Sequence, residues 1–202
     1  MPRRRVTSIL CALFIGIGAP CSGEAQIAAP VLRWAYGGCS ASYCQTGWYS
    51  APAVADLDGD GKPEIIAGTY DVVALASADG TLKWRATSGN RVWPGIVVAD
   101  LDKDGQPDIV VGRAGSGLTV YRPDGTSKTG WPVMPFASGE VRAVAAADLD
   151  GDGLLEIVAG RAASTGTQVV NVFAANGAQR SGWPRPQSGD PGYAWGVYND
   201  DI

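Results

Sequence analysis

Asp56-Leu57-Asp58-Gly59-Asp60-Gly61-Lys62-Pro63-Glu64 decides how the rest of this 202-residue chain is read. The stretch returns as Asp100-Leu101-Asp102-Lys103-Asp104-Gly105-Gln106-Pro107-Asp108 and again as Asp148-Leu149-Asp150-Gly151-Asp152-Gly153-Leu154-Leu155-Glu156. Each copy carries carboxylates at positions 1, 3, 5 and 9. Glycine at position 6 permits the sharp turn that makes them converge, and the backbone carbonyl of position 7 (Lys62, Gln106, Leu154) adds a further oxygen. An all-oxygen, highly charged and flexible cage suits Ca²⁺ better than Mg²⁺ or a transition metal. A single such loop reads equally well as a solvated Asp/Gly turn. Three in register, each with the same apolar context, do not. An EF-hand is excluded, because position 12 holds Ala67, Val111 and Ala159 instead of a bidentate Glu. β-Branched runs follow the loops (Ile65-Ile66, Ile109-Val110-Val111, Ile157-Val158) where an EF-hand has a helix.

The first aspartates, at 56, 100 and 148, define a period in the forties. That period, with four short apolar runs per unit, predicts an all-β fold, a β-propeller of four-stranded antiparallel blades. In the first unit Ala53–Ala55 enters the loop and Glu64–Ala67 leaves it. Val72–Ala76 then reaches an Asp79-Gly80 hairpin turn before Thr81–Arg85. Asp124-Gly125 and Asn176-Gly177 repeat the turn, and Gly68, Gly112 and Gly160 recur as sites of close backbone packing. Blades are expected from about 51, 95 and 142, with a fourth beginning near 196 inside a repeat region spanning 51–202. Val31-Leu32-Arg33-Trp34 resembles Thr81-Leu82-Lys83-Trp84 and reads as a closing strand within a 26–50 segment. Propellers carry about 4–8 blades. Three complete blades are therefore expected to be the truncated N-terminal portion of a longer protein whose remainder completes the ring. A ring built from several copies is the alternative.

Residues 1–25 read as a signal peptide. Arg3-Arg4-Arg5 precedes a twelve-residue apolar core, Val6–Ile17, too short to span a bilayer, and small residues at Gly23 and Ala25 suit cleavage after Ala25. Pro20 argues against lipidation of Cys21. The expected location is secreted, cell-surface or periplasmic, with no transmembrane segment. Loss of Arg3, Arg4, Arg5 and Glu24 moves the formal charge from −4 to −6. Most of the remaining acids lie in the three loops, so three bound Ca²⁺ would bring the protein to about neutrality. No basic run survives to bind nucleic acid. Cys39 and Cys44 are expected to form a local disulfide in an oxidising compartment.

The loops, the strands behind them and the period together resemble the FG-GAP/VCBS repeats, known from integrin-α-like and secreted bacterial calcium-binding propellers. The resemblance covers about residues 31–202 and implies the ligand sets Asp56, Asp58, Asp60, Glu64; Asp100, Asp102, Asp104, Asp108; and Asp148, Asp150, Asp152, Glu156. Literal Phe-Gly and Gly-Ala-Pro segments are missing, and Glu stands at position 9 in two loops, which places the chain nearer the bacterial type. The resemblance implies adhesion, or binding of an extracellular carbohydrate or protein, with calcium structural. A lyase-like accessory or catalytic propeller of a polysaccharide-degrading enzyme, or a pure scaffold, is the alternative.

The chain has no histidine, which removes Ser-His-Asp and Cys-His catalysis. No motif selects a carboxylate pair among the acids outside the loops, so an enzyme is the lesser expectation. Among aromatics on the presumed binding face (Trp48, Tyr49, Tyr70, Trp93, Phe136, Tyr193, Trp195), Tyr70 is the preferred exposed contact. Arg113 and Arg161, just after the repeated Gly, join it as ligand-binding candidates. Trp84, Trp131 and Trp183 read as structural.

Overall fold

The computed structural model describes residues 29–37, 50–87, 90–162 and 168–186. The expected signal peptide, the Cys39/Cys44 loop, Trp48, Tyr49, Tyr193, Trp195 and the start of a fourth repeat lie outside them. The chain divides into two compact units, Met1–Leu32 and Arg33–Ile202. The described part of the first is irregular, with Val31 and Leu32 exposed.

The second unit contains three antiparallel sheets. The first has order β1 (Ala53–Ala55), β2 (Glu64–Gly68), β3 (Val72–Ala76), β4 (Leu82–Ala86). The second runs β5 (Val97–Ala99), β6 (Asp108–Gly112), β7 (Leu118–Tyr121). The third runs β8 (Glu140–Ala147), β9 (Glu156–Ala162), β10 (Gln168–Phe173), β11 (Arg185–Pro186). These are propeller blades. The second has three regular strands, not four. Its last run is reduced to single bridges, Tyr121 to Ser127 and Leu118 to Val133. Gly130 at φ +92° and Pro132 lie between these bridges, just as Gly182 at φ +84° and Pro184 precede β11 in the third blade. Among the described residues no helix is long and apolar enough to cross a membrane.

The acidic loops occupy one structural position. Ala55 pairs with Glu64, Ala99 with Asp108 and Ala147 with Glu156, so each loop closes the hairpin between a blade's first and second strands.

The strand behind each loop supplies the core. Side chains alternate between sheet faces, and β6 is buried throughout because a sheet lies on each side of it. Ile109 and Val111 join Ile66, Val72 and Ala74 of the first blade, whereas Val110 joins Ile157, Ala159 and Phe173 of the third. The position-2 leucines follow the same logic. Leu57 and Leu101 are buried between blades, while Leu149 is 54% exposed, on a face that no described residue covers.

A tryptophan joins each blade to the next. Trp84 Nε1–H donates to Pro123 O at 2.7 Å and Trp131 Nε1–H to Ala175 O at 2.9 Å, both carbonyls in the following blade's hairpin turn. Trp34 makes the same bond to Ser77 O at 3.1 Å, although residues 29–37 form no strand. At Gly80 and Gly125 the turn glycine makes room for the indole. A Cβ at Gly125 would stand 2.7 Å from the Trp84 ring. Gly68 is equally constrained, a Cβ there meeting Val92 at 2.8 Å.

Trp131→Phe removes the bond to Ala175 O but keeps most of the packing, and is expected to cost about 1–2 kcal/mol. Trp131→Ala also opens a cavity and should cost about 3–5 kcal/mol. Urea denaturation midpoints at a shared m-value measure both. Equal losses for the two variants would show that the indole N–H is not a separate contributor.

Candidate metal centre

The backbone of each loop is wrapped around its first aspartate. The position-6 N–H groups of Gly61, Gly105 and Gly153 donate to Oδ2 of Asp56, Asp100 and Asp148 at 2.8, 2.9 and 2.9 Å. The position-7 N–H groups of Lys62, Gln106 and Leu154 donate to Oδ1 of Asp60, Asp104 and Asp152 at 2.7, 2.8 and 2.8 Å. Position 6 has φ between +81° and +86° in all three loops, which is why glycine recurs there. Gly59 and Gly151 add an N–H to Oδ1 of the first aspartate. In the second loop Lys103 holds the corresponding position at φ +61°, and the N–H of Asp104 makes that bond instead, at 3.1 Å.

Position 9 ties the loop to the sheet. Glu64, Asp108 and Glu156 are 2–3% exposed, and each accepts the position-2 N–H of Leu57, Leu101 or Leu149 at 2.9, 3.3 and 2.9 Å. Single oxygens of Asp56, Asp58 and Glu64 lie within 4.8 Å of one another, as do those of Asp148, Asp150 and Glu156. In the second loop the convergent set is Asp100, Asp102 and Asp104. Asp60, Asp108 and Asp152 stand outside these tightest groups.

The donor set fits a hard divalent cation. Every converging side-chain atom is a carboxylate oxygen, and several carboxylates so close repel one another unless a cation lies between them. Asp102 Oδ1 is buried and receives no hydrogen bond, leaving a desolvated acceptor that a cation would satisfy. When bound, Ca²⁺ supplies charge neutralisation and oxygen coordination. The residues that would hold it are positions 1, 3, 5 and 9 and the position-7 carbonyl.

Three cations missing from the sequence reading complete the loops. Lys83 Nζ lies 2.9 Å from Asp58 Oδ2 and 3.5 Å from Glu64 Oε1. Lys128 Nζ lies 2.8 Å from Asp102 Oδ2 and 2.9 and 2.7 Å from the two oxygens of Asp108. Arg180 bonds Asp150 through NH2, with NH1 3.6 Å from Glu156. Each cation therefore reaches positions 3 and 9 of its own blade's loop. The signal was present: all three stand three residues after the hairpin glycine, in Asp79-Gly80-Thr81-Leu82-Lys83, Asp124-Gly125-Thr126-Ser127-Lys128 and Asn176-Gly177-Ala178-Gln179-Arg180. The Lys83 hydrogen bond holds the Asp58 carboxyl below its ordinary range, and Asp58 raises Lys83 in turn. Burial pushes Asp108 up against the opposing pull of Lys128. Burial also draws Lys128 down, but Asp102 and Asp108 outweigh it, so the ammonium keeps its proton.

The ligand candidates are placed differently from expectation. Arg113 and Arg161 are not presented to solvent, being 3% and 8% exposed. Arg113 NH1 donates to Tyr70 O at 2.9 Å and Asn90 O at 3.0 Å, and its NH2 to Tyr121 Oη at 2.9 Å. Arg161 donates to Ser138 O at 3.1 Å and lies over the buried Phe136 ring. Both guanidiniums satisfy backbone carbonyls between strands, a task a planar fork of donors performs well. Tyr70 is half-buried. Trp93 stacks under Arg142 at 3.9 Å. A cavity of about 340 Å³ lies beside the first blade, lined by Trp34, Tyr36, Ser50, Ile65, Leu75 and Arg85 among others.

The acids outside the loops do not assemble. Asp79 and Asp124 close their own turns onto Thr81 and Thr126, Asp71 faces Arg85 and Glu140 faces Arg142. Among the described residues, each group of three or more acids close enough to share a cation lies in one of the three loops.

An all-β chain of propeller blades with a carboxylate loop in each first hairpin defines the class. Residues 100–159 match the FG-GAP-like repeat and residues 48–81 the FG-GAP repeat, so these stretches belong to the FG-GAP repeat family. No curated protein matches the chain in sequence. Among solved structures, the computationally designed Ika4 protein is similar in fold, with a TM-score of 0.50 and 15% identity over 82% of this chain and 84% of that one. BBS1N in complex with ARL6DN has a TM-score of 0.49 and 13% identity, covering 67% of this chain. The V. cholerae biofilm matrix protein Bap1 has 0.47 and 23%, covering 74%. The chain spans 43% of the BBS1N chain and 33% of the Bap1 chain, under half of each.

Arg113→Met is expected to destabilise the fold by about 2–4 kcal/mol, because it strands buried carbonyls and the Tyr121 hydroxyl. Any shift in melting temperature on adding calcium should be the same in that variant as in the unaltered protein. Chemical denaturation with and without calcium separates the two. Wild-type stability with loss of ligand binding would return Arg113 to the surface role.

Proposed function

We propose that this chain is an exported calcium-binding β-propeller module in which calcium is structural and the propeller surface binds an extracellular carbohydrate or protein, as in adhesion. The observation that carries the metal reading is the threefold loop. Three sequences separated by more than forty residues fold to the same inward-turned hydrogen-bond pattern around clustered carboxylates. Four carboxylates drawn into one turn repel, and neutralising them fixes the turn between two strands, so binding free energy becomes folding free energy. The binding reading is supported by the cavity beside the first blade, where Trp34, Tyr36 and Arg85 offer ring faces and a guanidinium to a sugar or a peptide. A binding role is also favoured over hydrolysis by the acids outside the loops, which are turned to local structural bonds. Export rests on the expected signal peptide.

Loops of this kind in extracellular modules bind calcium with dissociation constants of roughly 10⁻⁴–10⁻³ M, so millimolar calcium adds about 1 kcal/mol per site. For a chain of this size each such increment raises the melting temperature by about 2–4 °C. Thermal melts in EDTA and in millimolar calcium are therefore expected to differ by several degrees. Asp58→Ala, Asp102→Ala and Asp150→Ala should each remove part of the difference. Identical melts in the two conditions would overturn the metal reading. For the ligand, Trp34→Ala and Arg85→Ala should weaken retention on an immobilised extracellular-polysaccharide panel. Unaltered retention would exclude the cavity.

A further inference from the structure

We propose that Lys83, Lys128 and Arg180 are built-in counter-ions of the three loops, graded in strength, and that Lys128 makes the second loop the weakest calcium site. The inference rests on the metal reading above and refines it.

The three cations differ in what they hold and how well water screens them. Lys128 has a side chain only 10% exposed and contacts three carboxylate oxygens within 2.9 Å, both of Asp108 and one of Asp102. Lys83 and Arg180 are 37% and 35% exposed, and approach their position-9 carboxylates no closer than 3.5 and 3.6 Å. Solvent weakens the outer pairs, whereas the Lys128 pair sits where charges interact strongly.

The loops themselves reflect the difference. With glutamate at position 9, the first and third loops bring that carboxylate into the convergent set while it still accepts the position-2 N–H. The shorter Asp108 does not join the set of its own loop. Its oxygens face the Leu101 N–H and the Lys128 ammonium. A second cation entering this loop finds one carboxylate already neutralised and a fixed positive charge bound to Asp102. The same arrangement keeps the second loop assembled without metal, so blade two, which is packed on both sides, stays ordered at low calcium.

A calcium titration of the EDTA-stripped full chain, followed through the amide resonances of Gly61, Gly105 and Gly153, reads each loop separately. In the unaltered protein the Gly105 response should come at the highest calcium concentration. Lys128→Met should move it about tenfold lower and leave Gly61 and Gly153 in place, while lowering the melting temperature in EDTA. Lys83→Met should move Gly61 by less. Should the methionine variant fail to fold, Lys128→Gln keeps a hydrogen-bond donor for Asp108 without the charge, and the same shift is expected. Equal affinities at the three glycines, or no shift in Gly105 on neutralising Lys128, would overturn the inference and leave the metal reading standing. No calcium response at any glycine would overturn the metal reading itself.

Discussion

The blades depend on one buried contact: the position-9 carboxylate accepting the position-2 N–H of its own loop. It fixes the width of the loop's mouth and so the register of the first two strands, with Ala55 opposite Glu64, Ala99 opposite Asp108 and Ala147 opposite Glu156. An ionisable group at 2–3% exposure is tolerated only if its oxygens are satisfied. The loop N–H satisfies one, and the cation three residues after the hairpin glycine lies against the other. Acid, turn and cation are therefore a single unit repeated in each blade. In the first two blades the position-2 leucine attached to the same turn, Leu57 or Leu101, passes into the core between blades.

The second constraint is the contact between repeats. Blades of this size bury too little on their own faces to stand alone, so stability resides in what joins neighbours. Trp84 and Trp131 reach across to the next hairpin turn, and Gly125 in the turn that Trp84 meets leaves the indole its space. Arg113 bridges in the same sense, joining backbone carbonyls of the first repeat to a tyrosine of the second. Acidic loops and tryptophan contacts stabilise different levels of the structure, the hairpin in one case and the blade stack in the other.

Much of this was legible in the sequence because it is local. Loop chemistry, β-branched runs and Asp-Gly turns are all set within a few residues, and the first unit's four strands fall within one residue of expectation, whereas Val31–Trp34, expected as a closing strand, form none. What was not legible needs the tertiary register. Lys83, Lys128 and Arg180 lie far along the chain from the acids they meet, and only the pairing of the second, third and fourth runs brings them close. Arg113 and Arg161 read as ligand contacts from their equivalent places just after the repeated glycine. Here they are drawn inward by carbonyls that the strands leave unpaired. The second blade's last run makes only single bridges where the repeat pattern alone would continue a strand. Leu149 is exposed where Leu57 and Leu101 are buried, since no described residue packs on its face.

The central claim is that occupancy of the loops is transmitted to the strands behind them as stability. Amide hydrogen exchange across the full chain, in EDTA and in millimolar calcium, tests it most directly. Slower exchange in calcium at Ile66, Val110 and Ala159, which sit in the strands leaving the three loops, is the predicted result. Exchange in those strands that is indifferent to calcium, with any change confined to the loop amides, would contradict it.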